Sequence, residues 1–282
     1  MTLLAALQRR AGRPGRRVPP VGVTAAALVL LAGLTCVVVP DLLAPHPPDA
    51  VAPAAALLPP GWGHPLGTDE LGRDLLSRVI HGARLSLLVG AAATLLALLG
   101  GGAIGLVAGL FGGVVDSFLM RVVDVMLSFP ALLLALGAIS VLGSSPTRLA
   151  IAVGVSNVAT FARLIRGDVL RVRGLAYVTA ATVNGVRPAG LLLRYVVPNV
   201  SGPALSLAVL GFGVAMLESS SLSFLGFGPQ PPEADWGMLA AAGRANLADG
   251  WWLSTFPGVA VALTVLAATI IGRAVQDRRG VQ

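Results

Sequence analysis

Lysine is missing from this 282-residue chain, and all 20 of its basic residues are arginine. A Walker A phosphate loop needs its lysine on the nucleotide phosphates, so this chain cannot hold ATP in that way. Charge of either sign is scarce, at 12% of residues against roughly 25% in an ordinary soluble domain. Cysteine occurs once, at Cys36 inside an apolar run, which excludes an intrachain disulfide and a cysteine-built metal site. The three histidines, His46, His64 and His81, are far apart in one loop region and read as solvated surface side chains, with no metal expected. No HExxH, paired carboxylates or nucleophile elbow is found, so no catalytic residue is expected.

Apolar residues dominate, at 55% with a mean hydropathy of +0.83. That composition predicts an all-α polytopic membrane protein. The net charge of +7 does not indicate nucleic acid, because the arginines flank apolar runs instead of forming a soluble basic face. Five arginines between Arg9 and Arg17 lie in a basic N-terminus, 1–20, ahead of the run Val21 to Val39. About 20 residues cross a bilayer, and a first transmembrane helix is placed at 21–43. The run exceeds the usual 7 to 15 residue core of a signal peptide and no cleavage site follows it. Leu34-Thr35 also lacks the small residue that normally precedes a lipid-modified cysteine.

An extracytoplasmic loop and interfacial helix are expected at 44–82. Pro40 to Pro60 is rich in Pro and Ala and reads as extended, and Thr68 is the expected N-cap, with Asp69, Glu70 and Asp74 near the helix start. A second span from Leu85 to about Phe111 carries Gly101, Gly105 and Gly109 at small-xxx-small spacing, which permits close helix contact. Arg121 and Asp124, three apart on the third span, are expected to form a structural ion pair at its edge, and Pro130 to kink it. A fourth span covers about Leu149 to Leu164, a fifth Leu205 to Leu225, and a sixth ends near Val275, with Trp251 and Trp252 as an aromatic belt at its start. Glu218 lies inside the fifth span beside Ser219, Ser220, Ser221 and Ser223. It either faces a transport path, with Ser219 and Ser220 as pathway or gate residues, or is satisfied structurally by those serines.

Between spans four and five runs the one extended non-apolar stretch enclosed by membrane-length apolar runs, Arg163 to Asn199. It predicts two short helices. The first covers Leu175 to Asn184, with small Ala180 and Ala181 allowing close approach of another surface. Gly185 relaxes the turn, Pro188 opens the second helix and Pro198 ends it. Thr179, Ala180, Ala181, Gly185, Tyr195, Val197 and Pro198 fall on the spacing of the EAA loop of binding-protein-dependent ABC importer permeases, and the stretch resembles that loop. Thr179 stands where the family usually has Glu, which puts a charge-assisted contact in doubt but not the steric fit. HPLGTDELGRD, MRVVDVMLSFPALLLAL, ESSSLSFLGFGPQPP and WWLSTFPG further resemble the C-type subunit of the dipeptide, oligopeptide and nickel subfamily, over about residues 64–277.

The resemblance implies a type I ABC-importer permease fold of six transmembrane helices. Its core would be 83–276, with an ATPase-coupling loop at 165–199, an external segment at 226–251 and a C-terminus at 277–282. Arginine count fixes the orientation: fifteen flank the side of the N-terminus and five the other, so both termini are cytoplasmic. The implied protein is a non-catalytic subunit in a bacterial cell membrane that carries peptides, nickel or a nickel chelate. Its implied partners are a second permease, one or two P-loop ATPases that hold ATP and magnesium, and an extracytoplasmic substrate-binding protein. An ion-coupled secondary transporter working through Asp124 and Glu218 is the alternative, though one half of the sequence shows no convincing repeat in the other.

Overall fold

The computed structural model describes residues 20–230 and 232–279. The basic N-terminus expected at 1–20 falls, except for Pro20, outside them, as do Pro231 of the external segment and residues 280–282 of the C-terminus. Among the described residues there is no β-strand, only an isolated bridge between Thr68 and Asp74.

Helix α1, Pro20–Val38, is apolar all round and only 6% of its apolar window is buried, so it rides on the outside of the bundle. Helix α2, Leu75–Phe111, has 37 residues. At 1.5 Å per residue this is about 55 Å, well beyond the roughly 30 Å of a hydrocarbon core. The interfacial helix expected before the second span is therefore the outer end of that span. Its N-cap is Asp74, whose carboxylate accepts from the Ser77 N–H, and not Thr68. The chain from Thr68 to Arg73 is a loop instead, because Asp69 draws the N–H groups of Leu71 and Arg73 onto its own Oδ1. Thr68 is buried there, donating to Ala55 O and accepting from Leu58 N–H.

Helices α3, Gly113–Leu127, and α4, Ala131–Leu142, meet at 88°. The bend is much sharper than a kinked span. Pro130 has no N–H for the helix behind it, takes ψ 132°, and serves as the N-cap of α4. Helix α5, Pro146–Arg173, is capped by the Ser145 hydroxyl and has 61% of its apolar window buried. It is the central helix of the bundle, and its closest neighbour is α2. Gly101 and Gly105 make that approach possible: a Cβ on Gly101 would lie 2.5 Å from Val158 O, and one on Gly105 2.6 Å from Ala162 O.

The stretch Pro40 to Pro60, expected to be extended, instead opens with a helical turn at Pro40–Leu43 and holds a 3-10 turn at Pro53–Ala55, each started by a proline whose fixed φ suits it. Further along are α6, Ala176–Val183; a short helix Pro188–Leu191; a π-helical turn Leu192–Val196; and α7, Val197–Leu222. After a second π-helical turn at Ser223–Phe227 come α8, Trp236–Ala242, and α9, Trp252–Arg279. Among the described residues, five stretches are long and apolar enough to cross a membrane, and the bent pair α3 and α4 makes a sixth when counted as one span.

Candidate functional site

The segment from Arg163 to Asn199 is not a free loop. Val178 and Ala181 of α6, with Leu191, Val196 and Val200, are buried in one cluster with Phe161, Ile165, Val169 and Val172 of α5 and Leu110 of α2. Ala181 thus packs on its own chain, whereas the sequence placed it with Ala180 on an outward face. Thr179 and Ala180 are exposed, and with them Leu175, Tyr177 and Val183, the last 82% exposed. The Thr179 hydroxyl donates to Leu175 O at 3.3 Å, within its own helix. Gly185 has φ 77°, the left-handed region that glycine enters without a Cβ penalty, and no atom lies near where its Cβ would be.

Tyr195 is half-buried, with its ring 6.4 Å from that of Tyr177. Val197 and Pro198 do not end a helix; they open α7. The wider turn of Leu192–Val196 runs without a break into α7 and makes room for the ring of Pro198, which sits in the first turn of α7.

Arginines tie this segment to the neighbouring span. Arg166 grips Asp116 of α3 through Nε and Nη2 at 2.5 and 2.6 Å, the fork geometry that makes arginine a strong carboxylate partner. Arg173 donates to Gly109 O at 2.6 Å. Asp124 is bound by Arg163 of α5, across two helices, and not by Arg121 within its own. Because α3 packs against α5, the cross-helix guanidinium reaches the carboxylate that helical spacing alone would give to Arg121.

Glu218, half-buried on α7, accepts from Asn157 Nδ2 of α5 at 2.6 Å. The serines do not satisfy it. Ser219 donates to Met216 O and Ser221 to Leu217 O, as helical serines do, and Ser223 donates to Asp235 Oδ2 at 2.5 Å. Ser219 and Ser220 are buried. Asn157 was invisible in the sequence as a partner because it is 61 residues from Glu218.

On the opposite side, the loop before α2 and the segment after α7 form a joined cap. The Trp236 indole donates to Val79 O at 2.8 Å, and the Trp236 backbone N–H donates to Ser86 Oγ at 2.9 Å. Trp252 is buried and donates to Thr68 O at 3.2 Å. It is therefore a fastening for the loop and not the exposed belt residue expected, while Trp251 is 50% exposed. Burial pushes the Asp69 carboxyl upward, but the Arg73 N–H and guanidinium and the charge of Arg78 outweigh it and hold Asp69 below its ordinary value. Burial pushes Asp235 up, and the hydrogen bonds from Ser223 and from backbone N–H groups offset this only partly. A cavity of about 380 Å³ opens beside this cap, with Asp49, Arg78, Arg84 and Glu233 among its walls. His46 and His64, separate in the sequence, converge on Asp74.

Residues 101–280 match the family model described as binding-protein-dependent transport system inner membrane component. The chain belongs to that family. It is a permease component of a transport system, not an enzyme, and a multi-pass protein of the bacterial plasma membrane. The permease is 37% identical over 262 residues to the di/tripeptide transport system permease protein DppC of Pseudomonas aeruginosa, covering 91% of this chain and 86% of that one. It is 37% identical over 258 residues to the probable D,D-dipeptide transport system permease protein DdpC of Escherichia coli, covering 92% and 86%. The glutathione transport system permease protein GsiD of Pectobacterium atrosepticum is 34% identical over 218 residues, covering 77% and 72%. The relatives are named for dipeptide, tripeptide and glutathione transport, and the permease is similar to them along most of its length.

Proposed function

We propose that this permease forms half of a translocation path for di- or oligopeptides, opened and closed by ATPase chains docked on Leu175 to Pro198. The observation that carries this reading is the two-sidedness of that segment. Its inner side is buried on α2 and α5, and its outer side presents Leu175, Tyr177, Thr179, Ala180 and Val183 without cover. An exposed apolar patch on a chain whose charge places it in the cytoplasm needs a protein partner. A load applied there passes to α5, the central helix, as to a lever, and biases the bundle between outward and inward access.

ATP and magnesium would reside on the partner ATPases, one or two in number, and a second permease would supply the other half of the path. The external cap at 64–82 and 226–251 would receive a substrate-binding protein. The peptide names of the relatives favour a peptide cargo over nickel or a nickel chelate. Arg163 on Asp124 and Asn157 on Glu218 occupy the two carboxylates that an ion-coupled carrier would use, which weighs against that alternative.

The test is purification of the tagged chain from native membranes in mild detergent, with mass spectrometry of what accompanies it. A second permease and P-loop ATPases, lost in Gly185→Arg, are the expected result. Recovery of the chain alone, under conditions that keep a control complex intact, together with uptake that collapses with the membrane potential, would overturn the reading.

A further inference from the structure

Asp74 is held at the start of α2 as a fixed carboxylate. Its Oδ2 accepts from the Ser77 N–H at 2.8 Å and the Ser77 hydroxyl at 2.7 Å, and its side chain is 1% exposed. Its other oxygen, Oδ1, faces two imidazole nitrogens. Nδ1 of His64 lies 2.9 Å away and Nδ1 of His46 3.9 Å away. The two rings are 5.0 Å apart between centroids, and all three ligand atoms fall within 4.8 Å of one another.

The same serine that orients Asp74 also places His46, since Ser77 Oγ accepts from the His46 N–H at 3.1 Å. Three segments distant in sequence are thus brought to one point, with a shared hydrogen-bonded support behind the carboxylate and the first histidine. Supporting bonds of this kind fix the direction of metal ligands. In a tetrahedral site with bonds of roughly 2.0 to 2.2 Å, neighbouring ligand atoms are about 3.3 to 3.6 Å apart. The observed 2.9 and 3.9 Å lie on either side of that value.

We propose that His46, His64 and Asp74 form a binding site for one divalent transition-metal ion of the zinc class on the external face of the permease. Two imidazoles and a carboxylate select such an ion over magnesium or calcium, which prefer all-oxygen shells, and over copper(I), which prefers sulfur. His46 is 43% exposed, so water completes the coordination from the open side. Binding fastens the loop of residues 46–74 to the head of α2. His81 is not a ligand: its Nδ1 contacts Ser77 O and its Nε2 contacts Asp41.

The experiment uses the full chain, purified through a tag without histidine, placed in nanodiscs and stripped with chelator. Cobalt(II) is titrated and followed by its d–d absorption, then displaced with zinc(II), in the wild type and in His46→Gln, His64→Gln and His81→Gln. One equivalent of cobalt(II) per chain, one-for-one displacement by zinc(II), and at least tenfold weaker binding in the first two variants but not the third are expected. The His46 ring makes no hydrogen bond among the described residues, so His46→Gln decides the matter if His64→Gln fails to fold. Absence of stoichiometric binding by the wild type, wild-type affinity in His46→Gln, or equal weakening in His81→Gln would overturn the proposal.

Discussion

Asn157 Nδ2 donates to Glu218 Oε2 at 2.6 Å and joins the central helix α5 to α7. Removing the donor leaves a half-buried carboxylate without its partner, at a cost of about 1 to 3 kcal/mol. Asn157→Leu should therefore lower the thermal stability of the purified permease, and the double variant Asn157→Leu/Glu218→Leu should regain most of it. A double variant no more stable than Asn157→Leu, read by thermal unfolding in detergent, would show that this bond does not hold the two helices.

The α2–α5 contact gives a matched pair of substitutions. Gly105→Ala puts a Cβ 2.6 Å from Ala162 O and 2.9 Å from Arg166 N, whereas on Gly102 the nearest atom is the mobile Ile165 Cδ1 at 3.6 Å. Overpacking of this kind costs about 1 to 3 kcal/mol, so Gly105→Ala should reduce folded yield in size-exclusion chromatography and Gly102→Ala should not. Equal behaviour of the two would refute the close packing.

Gly185→Arg should abolish transport while membrane insertion persists. The left-handed backbone penalises any L side chain by about 1 to 2 kcal/mol, and the open space around Gly185 leaves the rest of the fold undisturbed. Normal uptake in this variant, measured in vesicles with ATP supplied, would remove the docking surface from the mechanism.

Asp69 sets an acid limit on the external cap. Its carboxyl titrates below its ordinary value in the folded chain, so its contribution to stability is full above the unfolded value of about 3.9 and is lost as pH falls through the folded value. Asp69→Asn should lower the melting temperature at pH 7 and flatten its fall as pH drops below about 4. An unchanged slope would assign the acid sensitivity to another group.

The spans, the glycine stripe and the segment Arg163 to Asn199 were legible because they are local: apolar length, spacing of small residues, and a glycine followed by two prolines each speak within one window. Partners were not. Arg121 is three residues from Asp124 and helical spacing favours it, yet Arg163, 39 residues away, takes the carboxylate because α3 lies on α5. Thr68 and Asp74 both satisfy the rule for an N-cap, and only the loop built by Asp69 settles it for Asp74. His46 and His64 looked solvated because nothing in their neighbourhoods announces the other, and the turns between them bring them together.

The Trp252 indole reaches back 184 residues to Thr68 O. A chain made from its N-terminus delivers the external loop early and its fastener last. Until α9 is in place, the loop lacks the hydrogen bond that fastens it at Thr68. The Trp252 indole thus makes the fastening of the loop at Thr68 depend on a helix 184 residues further along the chain.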